Sequence, residues 1–492
     1  MERSEWLALQ NGSDIRGPAM GEGAVLTPCA AAGIGEAFGR LLVQKTGGAQ
    51  PSVAVGHDPR ESGPALAQAV ADGLALAGCR PFLTGLSTTP SMYLACAAPE
   101  FRAQAAVMVT ASHLPPDKNG FKFFTPEGGC GRQTVRAVLE LAQERRPQGG
   151  RYECRPVVPD YARMLCALVR KQTGLRRPLS GLKILVDAGN GAGGFYAQDV
   201  LCELGADVSG SLFLEPAGCC AGHGQNPEKE ENLAALSRAV REQNAQLGIA
   251  FDPDADRAAL IDAQGRCLSR NRLIALAAAV LAPQYPGGIV VTDSVTSSGL
   301  TQFLGKQGLV HHRFKRGYQN VIDEARRLSD AGFCVPLAIE TSGHAALLEN
   351  RFLDDGMYLA TRLVAAMVQC RRRGEELAGL IEGLREPAQS AEYRIPLKKG
   401  ADLPQEELLA RLSGFVERHP ALSPAPENHE GLRVNVAPQA GDGWFLLRQS
   451  LHDPVLVLNL ESEHPDGVAC MEKLLRPFFE EIAPFLEAQP PF

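Results

Sequence analysis

The sequence of 492 residues lacks any apolar run long enough to cross a bilayer. Its most apolar stretch, residues 273–282, falls well short of the roughly 20 residues a spanning helix needs. Nor does its beginning show a charged start followed by an apolar core, so neither export nor membrane insertion is expected. Long Lys/Arg blocks are also missing. With 49 Lys and Arg against 56 Asp and Glu, the net charge is −7, which argues against a surface built to neutralise a nucleic-acid backbone. The 13 cysteines contain no C-x-x-C and, apart from the pair Cys219-Cys220, are scattered singly. That excludes the usual zinc and dithiol patterns. The cysteines read as reduced, mostly buried small residues of a soluble, cytoplasmic or similarly reducing setting.

What is present is a globular, loop-rich composition of 45% hydrophobic and 21% charged residues with 51 glycines. The chain is too long for one core and long enough for three or four domains. Three stretches repeat one order of signals: a short β-branched strand, a Gly/Asp/Ser turn, then an Ala/Leu-rich helix. The first has a strand at 53–55, a helix near 65–77 and a further strand at 105–109. The second has a strand at 183–186, the turn 187–193 and a helix towards residue 204. The third has a strand at 288–291, a helix at 299–304 and a strand near 336–339. After residue 391, strands at 392–396, 432–436, 444–448 and 455–459 with helices at 406–417 and 467–479 describe an α+β unit. Linker-like breaks near 145–150 and 386–387, and a join after Gly265, divide the chain into 1–155, 156–268, 269–386 and 387–492.

Four segments carry candidate chemistry. Thr110-Ala111-Ser112-His113 through Lys122 lies just past a strand's C-terminal end, where open α/β sheets place ligands. Ser112, beside His113 and within one loop of Lys122, can act as nucleophile and phosphoryl carrier, or the segment is simply a Pro/Asn/Gly turn. Asp252-Pro253-Asp254-Ala255-Asp256-Arg257 follows an apolar strand and sets three carboxylates at alternate positions. Such hard oxygen donors suit Mg²⁺. An EF-hand is excluded, because loop positions 6 and 12 are Arg257 and Ala263 rather than Gly and Glu. A solvated acidic turn is the plainer alternative, against which Arg257 is placed to hold a phosphoryl group. Glu340-Thr341-Ser342-Gly343-His344 offers groups for vicinal sugar hydroxyls, or only local capping. Arg448-Gln449-Ser450-Leu451-His452-Asp453-Pro454 reads as an anion cradle or as an exposed hairpin.

Taken together, these motifs resemble the α-D-phosphohexomutases, closest to the phosphomannomutase/phosphoglucomutase group, over essentially the full length. The Ser112 segment is similar to that family's phosphoserine loop, with Leu114 where asparagine is usual. Asp252 to Arg257 resembles its metal loop, with Pro253 and Ala255 where glycine is common. Glu340 to His344 resembles its sugar loop. Further likenesses are Asn11 to Gly17, Val55 to Ser62 and Asn226-Pro227-Glu228. In the loop from Arg448, His452 stands at the family's threonine, and the segment Lys315 to Asn320 replaces a Gly-x-Lys or Gly-His pattern.

The resemblance implies three successive related α/β domains with mixed sheets plus a smaller α+β C-terminal domain around a central cleft. It implies phosphoserine transfer between the 1 and 6 positions of a glucose or mannose phosphate through a hexose 1,6-bisphosphate. Mg²⁺ would be held by Asp252, Asp254, Asp256 and Ser112. Arg16, Lys122 and His113 would serve proton transfer and charge stabilisation, while Arg257, Glu340, Ser342, His344, Arg448 and Ser450 would bind substrate. A phosphoglucosamine mutase, or a weakened sugar-phosphate-binding homologue, are the alternatives, in a monomer or dimer that binds small hexose phosphates.

Overall fold

The computed structural model describes residues 1–98, 100–218, 226–398, 400, 403–450, 454–488, 490 and 492. The chain divides into two compact units: Met1–Val280 with Ser342–Leu380, and Leu281–Thr341 with Ile381–Phe492.

The first unit contains two sheets. In the larger, the strands Ser52–His57, Arg80–Leu86 and Ala105–Val109 run parallel, because an α-helical crossover such as Gly63–Leu76 returns the chain to the same end. The strands Lys118–Thr125 and Asp14–Pro18 then add antiparallel to the edge beside Ala105–Val109, which makes the sheet mixed. Its apolar residues, including Val53, Val55, Val107, Val109 and Phe121, are fully buried against the helix Pro28–Lys45. That helix begins where Thr27 accepts the Ala30 N–H and Pro28 fits the first turn. Gly120 permits the close approach of the edge strand, since a Cβ there would meet the Ile15 carbonyl at 2.2 Å.

The second sheet orders Ile184–Asp187, Leu247–Phe251, Ala258–Asp262 and Cys267–Leu268, its first pair parallel and the rest antiparallel. The expected helix towards residue 204 is a short 3₁₀ turn, Ala192–Gly194, followed by a π-helix, Tyr196–Cys202. Gly194 lets the turn pass close to the neighbouring chain, since a Cβ there would lie 1.9 Å from the Leu214 carbonyl. The helix Gly356–Arg372, capped by Asp355, also belongs to this unit, as does the hairpin of Ala345–Leu347 and Leu353–Asp354.

In the second unit, Ile289–Asp293 pairs parallel with Val310–Phe314 on one side and Leu337–Ile339 on the other. The helices Ser298–Lys306 and Tyr318–Asp330 provide the crossovers. A five-stranded antiparallel sheet follows, with Gln389–Pro396 at one edge and Leu422–Pro424 at the other. Its apolar face packs under the helices Gln405–Glu417 and Gly467–Glu481. The expected α+β ending is therefore present, and the three preceding sheets contain parallel pairs. Among the described residues no helix is long and apolar enough to cross a membrane.

Candidate active site

Loops at strand ends in the first unit bring two of the predicted segments together. Ser112 follows the strand Ala105–Val109, is 2% exposed, and adopts a left-handed backbone with φ of 53°. Its Oγ donates to Asp252 Oδ2 at 2.8 Å and accepts from Arg257 Nη2 at 2.7 Å. The His113 ring lies 3.3 Å from the same oxygen. Arg257 also binds Asp252 through its own N–H and its side chain, at 3.1, 3.0 and 2.8 Å. The carboxylate is thus gripped within its own turn while it faces the serine.

The Lys118–Thr125 segment is a strand, so Lys122 does not sit in the serine loop as the sequence reading placed it. The alternating aromatic positions Phe121 and Phe123 face the core, which makes the pleat and turns Lys122 to the opposite side. There its Nζ donates to Asp254 Oδ2 at 2.8 Å and also reaches Asp256 Oδ2. Thr89, at the N-terminus of the helix Thr89–Ala97, donates its hydroxyl to Asp254 at 2.6 Å and its N–H to the Asp254 carbonyl at 2.9 Å. Arg16, on the adjoining edge strand, pairs with Asp14 at 2.7 Å and donates to the Ala111 carbonyl at 2.5 Å.

Asp252, Asp254 and Asp256 are all fully buried, and each offers a carboxylate oxygen within 4.8 Å of the others. Asp254 Oδ1 and Asp256 Oδ1 accept no hydrogen bond among the described residues. Buried oxygens left in this way are costly unless a cation completes them, and a set of hard carboxylates fits Mg²⁺. The residues therefore suit a divalent ion.

Electrostatics separate the members of the cluster. Burial raises the Asp252 pKa to about 7, opposed by Arg257 and reinforced by the other two aspartates. For Asp254, burial is overcome by the charge and hydrogen bond of Lys122 and by Thr89, so it is held below its ordinary range. His113 is pushed down to about 2 by burial and by the nearby Arg257 and Arg16, and is neutral. His344 goes the other way. Burial disfavours its charge, but Asp354, at 2.7 Å, and Asp256, at 3.7 Å, raise its pKa to about 9. The sequence reading missed Asp354, although the Asp354-Asp355 doublet ten residues beyond His344 was a visible signal. Gly343 lets this turn close on the metal loop: its φ is +95°, and a Cβ would lie 2.7 Å from the Ala258 carbonyl.

Ser342 and His344 belong to the first unit, while Glu340, Arg448 and Ser450 belong to the second. There Glu340 accepts the Gly317 N–H at 2.6 Å. Arg448 lies at the end of the strand Gly443–Gln449, 9% exposed and 3.0 Å from Glu430. The other Glu430 oxygen accepts the Arg316 N–H at 2.6 Å. Burial lowers the Arg448 pKa and Glu430 partly restores it. The Ser450 N–H donates to the Val455 carbonyl, and Leu451, His452 and Asp453 lie outside the described residues. Glu430, unlike Asp354, is a residue that sequence patterns gave no reason to single out.

Comparison with known proteins agrees with this architecture. The phosphoglucomutase/phosphomannomutase α/β/α domains I, II and III match residues 8–146, 159–265 and 269–386. The phosphomannomutase/phosphoglucomutase of Pseudomonas aeruginosa is 29% identical, covering 94% of this chain and 93% of the relative. A phosphoglucosamine mutase of Bordetella petrii is 32% identical over 94% of this chain and 96% of the relative. A crystal structure of a phosphoglucomutase/phosphomannomutase family protein from Burkholderia thailandensis superposes with a TM-score of 0.80 at 28% identity, over 99% of each chain. The chain belongs to the phosphoglucomutase/phosphomannomutase family and is a phosphohexomutase.

Proposed function

We propose that this phosphohexomutase moves a phosphoryl group between the 1 and 6 positions of a glucose or mannose phosphate, with Ser112 as the carrier. The observation that carries the proposal is the Ser112 Oγ held between Asp252, at 2.8 Å, and Arg257, at 2.7 Å. In this reading phospho-Ser112 gives its phosphoryl group to the free hydroxyl of the substrate. The resulting hexose 1,6-bisphosphate turns over and returns its other phosphate to Ser112.

Asp252, Asp254 and Asp256, together with Ser112, would hold Mg²⁺, which supplies positive charge to the phosphoryl group in transfer. Arg257 lies against the serine oxygen and orients the group that oxygen carries. Lys122 and Arg16 supply further positive charge and, with His113, are the proposed proton-transfer set. Glu340, Ser342 and His344 read sugar hydroxyls, and Arg448 with Ser450 anchors the phosphate that is not reacting. The division at 1–155, 156–268, 269–386 and 387–492 and a cytoplasmic setting belong to the same proposal.

The similarity to a phosphoglucosamine mutase supports a second substrate reading, so glucose, mannose and glucosamine 1-phosphates are assayed side by side with catalytic bisphosphate. Ser112→Ala is expected to abolish turnover on every substrate, and intact-mass analysis should show one phosphoryl group fewer than in the active enzyme. Full activity in Ser112→Ala refutes the carrier. Absence of turnover in the unaltered protein on all three sugars supports a binding homologue instead.

A further inference from the structure

Arg60 is 1% exposed, one of the largest side chains buried so completely, yet it touches none of the carboxylates of the metal loop. A guanidinium has five N–H donors in a rigid fork. All five are used here. Nε donates to Asp58 Oδ2 at 3.0 Å. Nη1 donates to the Pro115 carbonyl at 2.7 Å and the Lys118 carbonyl at 3.0 Å. Nη2 donates to the Leu114 carbonyl at 2.8 Å and to the carbonyl of Ser112 itself. One planar group therefore gathers four backbone carbonyls of the serine loop onto a single point.

Asp58 completes a second arm. Its Oδ2 accepts the Thr110 hydroxyl at 2.7 Å, and Thr110 Oγ1 accepts the Ser112 N–H at 2.9 Å. The N–H and the C=O of Ser112 are thus both tied to the Asp58–Arg60 pair. Ser112 also holds the left-handed backbone that residues other than glycine seldom adopt, a conformation that persists only where its surroundings enforce it.

We propose that Arg60, acting through the Asp58–Thr110 arm and through the Ser112 carbonyl, is the positioning residue that aims the Ser112 oxygen at Asp252 and Arg257. The inference rests on the reading of Ser112 as phosphoryl carrier. A reacting atom misplaced by about 1 Å can lose roughly 100-fold in rate. Lysine at position 60 keeps the charge but has three rotating donors in place of the fork, so it cannot hold five acceptors at fixed angles.

The test is single-turnover transfer from fully phosphorylated enzyme to glucose 1-phosphate, read as a rate constant. Arg60→Lys is expected to lower that constant and kcat about 100-fold while KM changes less than about threefold. A purely structural role would lower the melting temperature and the amplitude but leave the rate constant of the folded fraction unchanged. That outcome overturns the proposal. Should Arg60→Lys fail to fold, Thr110→Val, which removes only the hydroxyl linking Asp58 to the Ser112 N–H, must slow transfer, and Thr110→Ser must restore it. An unchanged rate constant in Thr110→Val overturns the proposal equally. If Ser112→Ala is inactive while Arg60→Lys transfers normally, the carrier stands and only the role of Arg60 falls; full activity in Ser112→Ala removes both.

Discussion

Lys122→Met tests the buried charge balance most directly. The Lys122 side chain is 4% exposed and those of Asp254 and Asp256 are 0% exposed, with Nζ in contact with both. Methionine preserves the length of the stem and removes the charge. Three buried carboxylates then face the guanidinium of Arg257 and the imidazole of His344 without the lysine between them. Removing one partner of a buried ion pair costs about 3–5 kcal/mol. At roughly 1.5 °C per kcal/mol for a unit of about 320 residues, the unfolding midpoint should fall by about 4–8 °C. The pH dependence has a definite sign. Asp254 is held low by Lys122 against its burial, so its stabilisation is present above the ordinary carboxylate range and is lost as pH falls through the depressed value. The deficit of the variant is therefore largest at neutral pH and shrinks on acidification. Circular-dichroism melts at neutral pH and below about pH 4, with and without Mg²⁺, read all of this; added Mg²⁺ at neutral pH should recover part of the loss. A midpoint within about 2 °C of the unaltered protein at neutral pH without Mg²⁺ would refute the reasoning.

Arg448→Ala should raise KM for hexose phosphate at least about tenfold, which needs a loss of only about 1.4 kcal/mol, while kcat falls less. An unchanged KM would show that this loop is not the anchor. His312 lies between Glu324, at 2.9 Å, and Glu427, at 3.2 Å, and the hydrogen bond to Glu427 raises its pKa against burial. A raised imidazole stabilises below its unfolded pKa and loses that contribution as pH rises through the folded value. His312→Gln should therefore flatten the fall in melting temperature of the second unit between about pH 6 and 8; a slope equal to that of the unaltered protein counts against the pairing.

Much of the fold was legible because its signals are local. Apolar strands ending at Thr110, Asp252 and Glu340, each followed by turn residues, mark α/β units whichever way the chain later packs, and the alternate spacing of Asp252, Asp254 and Asp256 brings three carboxylates into one turn. The antiparallel ending was legible from its strand runs in the same way. Register and distant pairing were not. Lys122 reads as part of a loop until Gly120 allows Lys118–Thr125 to pair with Asp14–Pro18, and the pleat then turns Lys122 toward Asp254, 132 residues away. Arg60 is one member of a polar run beside Asp58 until the parallel pairing of Ser52–His57 with Ala105–Val109 carries it under the Ser112 loop. Asp354 meets His344 because a short hairpin folds back on the metal loop. The sequence by itself determined which residue types occupy each strand end. Only the tertiary structure decided which ends meet, because strand order and register are set by burying one continuous core.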